Sequence, residues 1–229
     1  MDLAKPCIDV GLATNGIEPV LAFWQGEAGL AFDHVLKLRR GHEQHRHDAN
    51  GSVVKINHNS EPLPDNPPSG YREVIIARPG LTAPLSLVDP DGARVRLVPP
   101  GHDGVTQIGV RLAVRDVDAH RAFYRDALGL VEEPTTAAAA AFRAANSLIL
   151  IDQSPDAPSD SQMAGPGWRY ITFQVFKVDD EHARVLAAGG REAMAPVTLG
   201  TTARISMVRD PDGNWIELSQ RASIVGSLG

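Results

Sequence analysis

One set of short motifs returns at a fixed distance along the chain. VGLAT at 10–14 reappears as VRLAV at 110–114, Ala22-Phe23-Trp24 as Ala122-Phe123-Tyr124, and Gly29-Leu30 as Gly129-Leu130. A constant offset over three separate stretches means that one structural unit occurs in both halves. A second pair of echoes marks a further unit in each half: GYREVII at 70–76 against GWRYITF at 167–173, and VDPDGARVRL at 88–97 against RDPDGNWIEL at 209–218. Here the spacing is unequal. Between Arg72 and Asp89 there is room for a strand and a short connection, whereas between Arg169 and Asp210 a helix and two strands fit. The second unit of the N-terminal half is therefore predicted to be shortened.

Each full unit opens on strand alternation, with Val110, Leu112 and Val114 on one face and Arg111, Ala113 and Arg115 on the other. A helix follows. Ile17, Val20, Leu21 and Trp24 fall at helical spacing with Pro19 in the first turn, Asp116 is placed to cap the next helix, and Asp179 or Asp180 to cap one that stops at Gly189-Gly190. Tight turns at Asn50-Gly51 and at the two DPDG sequences separate the strands that come after. The latter part of AAAAAFRAAN, 137–146, reads as a strand of small residues. PPGHDG at 99–104 divides the chain, giving an expected N-terminal domain over 1–102 and a C-terminal domain over 103–229.

Composition narrows the partners. A chain of 229 residues with 43% hydrophobic and 22% charged residues has the profile of a globular protein, and a net charge of -6 argues against nucleic acid or an anionic membrane surface. No apolar stretch reaches membrane-spanning length, and Pro6 and Asp9 stand where a signal peptide would need an apolar core. The single cysteine, Cys7, allows no internal disulfide and no zinc-type spacing. The expected compartment is the cytoplasm.

GVRLAVRDVDAHRAFYRDALGL at 109–130 and VRDPDGNWIELSQ at 208–220 resemble the opening strand and helix, and the last hairpin, of the βαβββ module of the vicinal oxygen chelate superfamily. This superfamily includes glyoxalase I, bleomycin-resistance proteins and extradiol dioxygenases. The resemblance implies an α+β fold: tandem βαβββ modules forming two curved mixed sheets. It also implies a divalent metal held by side chains from a module's first strand and by a Glu in its last strand. The Glu maps onto Glu217, while the first-strand His positions hold Gly109 and Tyr170, and the N-terminal equivalents are Asp9, Glu73 and Arg96. Neither half keeps a three-ligand set, and Asp9, Glu73 and Arg96 are expected to form a structural ion-pair cluster.

Four of the eight histidines lie in GHEQHRHDANGSVVKINHN, 41–59. With Asn50-Gly51 at the tip of a hairpin, 37–48 pairs with 52–59, and His47 faces Val54, His45 faces Ile56 and Glu43 faces His58. The apolar partners mark this as the inward face. His42, Gln44, Arg46, Asp48, Val53, Lys55 and Asn57 read as solvent-exposed. Because the resemblance makes the concave face the ligand cavity, His45, His47, His58, Glu43 and Arg111 are expected substrate contacts. Glu217 and Tyr170 are the expected catalytic groups, and a metal (Zn, Ni, Fe or Mn) is expected on His45, His47 and Glu217. The bland alternative is that these histidines are surface or hydrogen-bonded core groups.

Two functions compete. One is a metal-assisted lyase, isomerase or oxygenase acting on a small oxygenated molecule; the other is metal-free binding of an aromatic ligand by Trp24, Tyr71, Trp168 or Tyr170. A homodimer covering the edge left by the shortened unit is also expected.

Overall fold

The computed structural model describes residues 1–228. The first unit comprises β1 (Asp9–Thr14), α1 (Ile17–Gln25), β2 (Ala31–Arg39), β3 (His42–Ala49) and β4 (Ser52–Asn59). The shortened second unit has only β5 (Tyr71–Ala77), β6 (Leu85–Val88) and β7 (Arg94–Val98), with no helix between them. The third contains β8 (Ile108–Val114), α2 (Val117–Ala122) running into a π-helical turn (Phe123–Ala127), β9 (Val131–Glu133), β10 (Ala140–Ala144) and β11 (Ser147–Gln153). The fourth has β12 (Gly167–Gln174), α3 (Val178–Ala187), β13 (Arg191–Leu199), β14 (Ala203–Arg209) and β15 (Trp215–Arg221), followed by a short helix, α4 (Ala222–Val225).

The strands form two mixed sheets, and each takes units from both halves of the chain. The eight-stranded sheet runs β13-β14-β15-β12-β1-β4-β3-β2, and the seven-stranded sheet runs β6-β7-β5-β8-β11-β10-β9. The outer units thus pair with one another, and so do the inner ones. The division at 102/103 marks the repeat, yet it falls inside the second sheet, between β7 and β8.

Local chemistry explains most element boundaries. The Asp116 carboxylate accepts a hydrogen bond from the Ala119 amide at 3.0 Å, as an N-cap should. Helix α3 begins earlier than expected, with Lys177 as the capping residue and Asp179 and Asp180 inside the first turn, where their charge suits the helix N-terminus. Asn50 and Gly51 have φ of 57° and 86°, the paired left-handed conformation of a two-residue hairpin turn. The stretch read as one strand over 37–48 is two strands, because a turn at Arg40-Gly41 separates β2 from β3.

A single apolar cluster joins the helices to one face of both sheets. It includes Val10, Leu12, Val54, Ile56, Phe173 and Leu218 of the first sheet, Val74, Val110 and Ile149 of the second, and Val20, Trp24, Tyr124 and Val185 of the helices. Trp24 and Trp168 meet edge to face at 5.6 Å within it, and Tyr71 donates to the Trp215 carbonyl at 2.9 Å. Of the aromatics expected to hold a ligand, these three are built into the packing. The opposite face of the second sheet is filled by a smaller cluster of Ile75, Val98, Val105, Ala141, Leu148 and Leu150. Beside it, Glu73 pairs with Arg96 at 3.0 Å and approaches Arg111 at 4.0 Å. Asp9 belongs to the other sheet and takes no part in that cluster.

Candidate functional site

The face of the first sheet turned away from the main core curls around a cavity of about 730 Å³. Strand alternation sends Gln44 and Arg46 of β3, Lys55 and Asn57 of β4, Tyr170 and Gln174 of β12, and Glu217, Ser219 and Arg221 of β15 to its floor. Leu36, Leu38, Leu63, Met163, Leu199, Ile205 and Met207 supply apolar walls.

The hairpin register is as expected, with Glu43 opposite His58, His45 opposite Ile56 and His47 opposite Val54. The face assignment is reversed. Val54 and Ile56 point into the main core, and with them go His45 and His47; Gln44, Arg46 and Lys55 point into the cavity and are 7%, 5% and 3% exposed, not solvated. A sheet that carries helices on one face and curls around a hollow on the other has two buried faces, and its apolar face is the one that packs on helices. Equating apolar with concave inverted the two.

His47 is fully buried, stands edge to face with Phe32 at 5.6 Å, and lies 3.2 Å from the Gln25 side-chain nitrogen. Burial, aided by the neighbouring His45, pushes it down to about 4, so it is neutral at physiological pH. A site shared by His45, His47 and Glu217 is not assembled, because Glu217 lies on the cavity face. Arg111 sits in the second sheet, held by Asp152 at 2.7 Å and the Ala137 carbonyl at 3.2 Å. Glu43 and His58 do reach the cavity margin. With His45 they form a group whose ligand atoms all lie within 4.8 Å of one another. The His45 Nε2 atom is buried without a hydrogen-bond partner, and burial holds this imidazole below its ordinary pKa.

The floor is organised around an ion pair. Lys55 Nζ lies 2.8 Å from Glu217 Oε2 and donates to Thr172 Oγ1 at 2.7 Å, while the Thr172 hydroxyl donates to the same Glu217 oxygen at 2.7 Å. The ammonium also stands 5.3 Å from the centre of the Tyr170 ring. The Tyr170 hydroxyl accepts from Asn57 at 3.2 Å, and burial, with the Glu217 charge, raises its pKa, so it is a neutral hydrogen-bond donor. Gly11 makes room for that ring: a Cβ there would lie 2.1 Å from a Tyr170 ring carbon. Asp9 accepts from Lys5 at 2.5 Å, the Val53 amide at 2.9 Å and Gln174 at 3.0 Å. Burial alone would raise the Asp9 pKa, but the Lys55 and Lys5 charges hold it below the usual carboxylate range.

The sheet register reveals what Lys55 replaces. Asp9 pairs with Thr172 and Gly11 with Tyr170 across β1 and β12, Gly11 with Lys55 across β1 and β4, and Thr172 with Glu217 across β12 and β15. The two-fold relation that exchanges Asp9 with Tyr170 and Gly11 with Thr172 therefore exchanges Lys55 with Glu217.

The C-terminal half, residues 105–218, matches the model of the Glyoxalase/Bleomycin resistance protein/Dioxygenase superfamily. The chain belongs to this superfamily. Glyoxalase I from Zea mays superposes with a TM-score of 0.76 at 14% identity, covering 96% of this chain and 95% of that one. A protein from Bacillus subtilis strain 168, described as a candidate dioxygenase, superposes with a TM-score of 0.68 at 12% identity over 96% and 85% of the two chains. At these identities the likeness is one of fold. No curated protein matches the chain.

Within the superfamily's arrangement, the first-strand and last-strand positions of the paired outer units are Asp9, Tyr170, Lys55 and Glu217. These residues do not fit a divalent metal. An ammonium repels a cation, the Tyr170 hydroxyl is held neutral, and Asp9 is engaged by three donors. Glu217 and Tyr170 were legible from the DPDG hairpin and the repeat. Lys55, Arg46, Gln44, Asn57 and Gln174 were not, although one signal was present: polar residues on an interior strand cannot face bulk water on a sheet buried from both sides.

Proposed function

We propose that this protein binds a small oxygenated molecule in the cavity of the first sheet, without a metal at the superfamily's strand positions. The observation that carries this reading is Lys55: a buried ammonium bonded to both Thr172 and Glu217 supplies a fixed positive charge at the position of a metal-ligand side chain. Tyr170 and Lys55 offer hydrogen-bond donors to a ligand oxygen, and the leucine and methionine walls take its apolar part. The same floor holds the parts for proton transfer next to a carbonyl. Glu217 is placed to accept a proton, and the Lys55 and Tyr170 donors are placed to stabilise the oxyanion that forms. Lyase or isomerase chemistry is therefore the class that the cavity residues supply by themselves.

Glu43, His45 and His58 favour a second reading, metal-assisted chemistry on the face of β3 and β4 that carries Val54 and Ile56, because their ligand atoms converge and His45 Nε2, 3.7 Å from Glu43, makes no hydrogen bond. Two imidazoles and one carboxylate suit Zn, Ni or Fe. Metal analysis of protein made without a histidine tag, paired with a fragment screen by amide chemical shifts before and after chelation, tests both. The first reading predicts fragment-induced shifts at Asn57 and Tyr170 that survive chelation. Loss of those shifts on chelation, with stoichiometric metal that disappears in His45→Ala, would establish the second. A homodimer through the exposed edge strand β6, where Leu85 and Val88 are 45% and 58% exposed, belongs to the same proposal, and so does a cytoplasmic location. Light scattering reads out the dimer.

A further inference from the structure

We infer that the cavity recognises the carboxylate of an organic acid with an apolar body, through the guanidinium groups of Arg46 and Arg221. The inference rests on the cavity reading given above and names its ligand class.

Arg46 is 5% exposed, and its guanidinium donates to Gln44 Oε1 at 2.7 Å, but its Nε has no partner. Among the described residues, no carboxylate lies within ion-pair distance of Arg46 or Arg221, although both line the cavity. The neighbouring charged groups have partners, ionic or carbonyl. Lys55 and Glu217 hold each other, Asp9 has Lys5, and Arg169 is spent on the carbonyls of Gly165 at 2.9 Å and Pro67 at 2.8 Å.

A buried guanidinium without an anion is costly, and two in the same hollow repel each other. Burial, and then the Arg46 charge, hold the Arg221 pKa below its ordinary range even though Glu217, Asp9 and Asp33 pull the other way. In a chain of net charge -6 this is a local excess of cation lining one cavity. An entering anion removes the imbalance. Guanidinium presents paired N–H groups in a planar fork that matches a carboxylate. Leu36, Leu38, Ile205 and Met207 supply apolar walls to the same cavity, which suits a ligand whose body is apolar.

The test uses a panel of arylalkyl carboxylates, each matched with its primary amide and with phenyl phosphate as the alternative anion. Affinity is followed by calorimetry and by the amide shifts of Asn57 and Tyr170. We expect each acid to bind at least tenfold tighter than its amide, and Arg221→Gln and Arg46→Gln to weaken acid binding far more than amide binding, bringing the acid-to-amide ratio close to one. Arg221 is the less buried of the two, so its variant carries the test if Arg46→Gln fails to fold. Equal affinity for acid and amide would overturn the anion subsite and leave the cavity reading standing. If phenyl phosphate binds more tightly than every acid, the carboxylate assignment is wrong. If no probe shifts Asn57 or Tyr170, the cavity reading falls and this inference with it.

Discussion

Replacing Lys55 by Met leaves Glu217 as a buried carboxylate with only the Thr172 hydroxyl to satisfy it. The two side chains are 4% and 11% exposed and their charges lie 2.8 Å apart. At an effective dielectric near 20 the attraction is about 6 kcal/mol, and the cost of taking both ions out of water offsets most of it. Losing one partner is a different matter, because the remaining ion keeps its desolvation cost and loses its compensation, typically about 3–5 kcal/mol. Lys55→Met should therefore destabilise the protein by about 3–5 kcal/mol in urea unfolding. Removing both charges in Lys55→Met/Glu217→Gln should recover part of this loss, with a coupling energy of about 2 kcal/mol or more in a double-mutant cycle. Additive single effects, or a Lys55→Met cost below about 1 kcal/mol, would refute the claim that the pair organises the cavity floor.

Three further outcomes follow from the same geometry. Gly11→Ala should displace the Tyr170 ring, costing about 1–3 kcal/mol of stability and weakening fragment binding at Asn57, because the added Cβ would sit 2.1 Å from a ring carbon. His47 titrates at about 4 in the native protein against 6.5 for an ordinary histidine; the unfolded chain then binds more protons between these values, so stability falls as pH drops from about 6.5 to about 4. The loss is up to roughly 3 kcal/mol, and a His47→Leu variant followed by pH-dependent unfolding should lack it. Arg46→Met should raise the melting temperature by roughly 3–6 °C in the absence of ligand while abolishing discrimination for acids, the stability–function exchange expected of a charge kept for binding.

The fold was legible because the repeat and its turn chemistry are local. Asn50-Gly51 set the β3–β4 register residue by residue, and the echo between the two DPDG segments located the last strands and, with them, Glu217. What lay beyond reach depends on contacts far apart in sequence. Lys55 and Glu217 are 162 residues apart, and they meet only because β1 pairs with β12 and so joins the first unit to the fourth. Alternation along β3 and β4 separates two sets of side chains correctly, but it cannot say which set faces a cavity when both faces are covered. Val54 and Ile56 joined the main core, and the polar set of Gln44, Arg46, Lys55 and Asn57 was left to build the site. Glu43 and His58 reach its margin only because they stand near the strand ends, while His47 further in is core.

The Lys55 ammonium holds a position where a divalent cation's ligand would otherwise stand. The most direct measurement is anomalous diffraction from crystals of untagged protein soaked in Ni²⁺ or Zn²⁺. The prediction is that the space among Asp9, Tyr170 and Glu217 carries no anomalous peak and that Lys55 Nζ stays bonded to Glu217 and Thr172. A peak at coordination distance from Glu217, with the Lys55 side chain swung away, would contradict it.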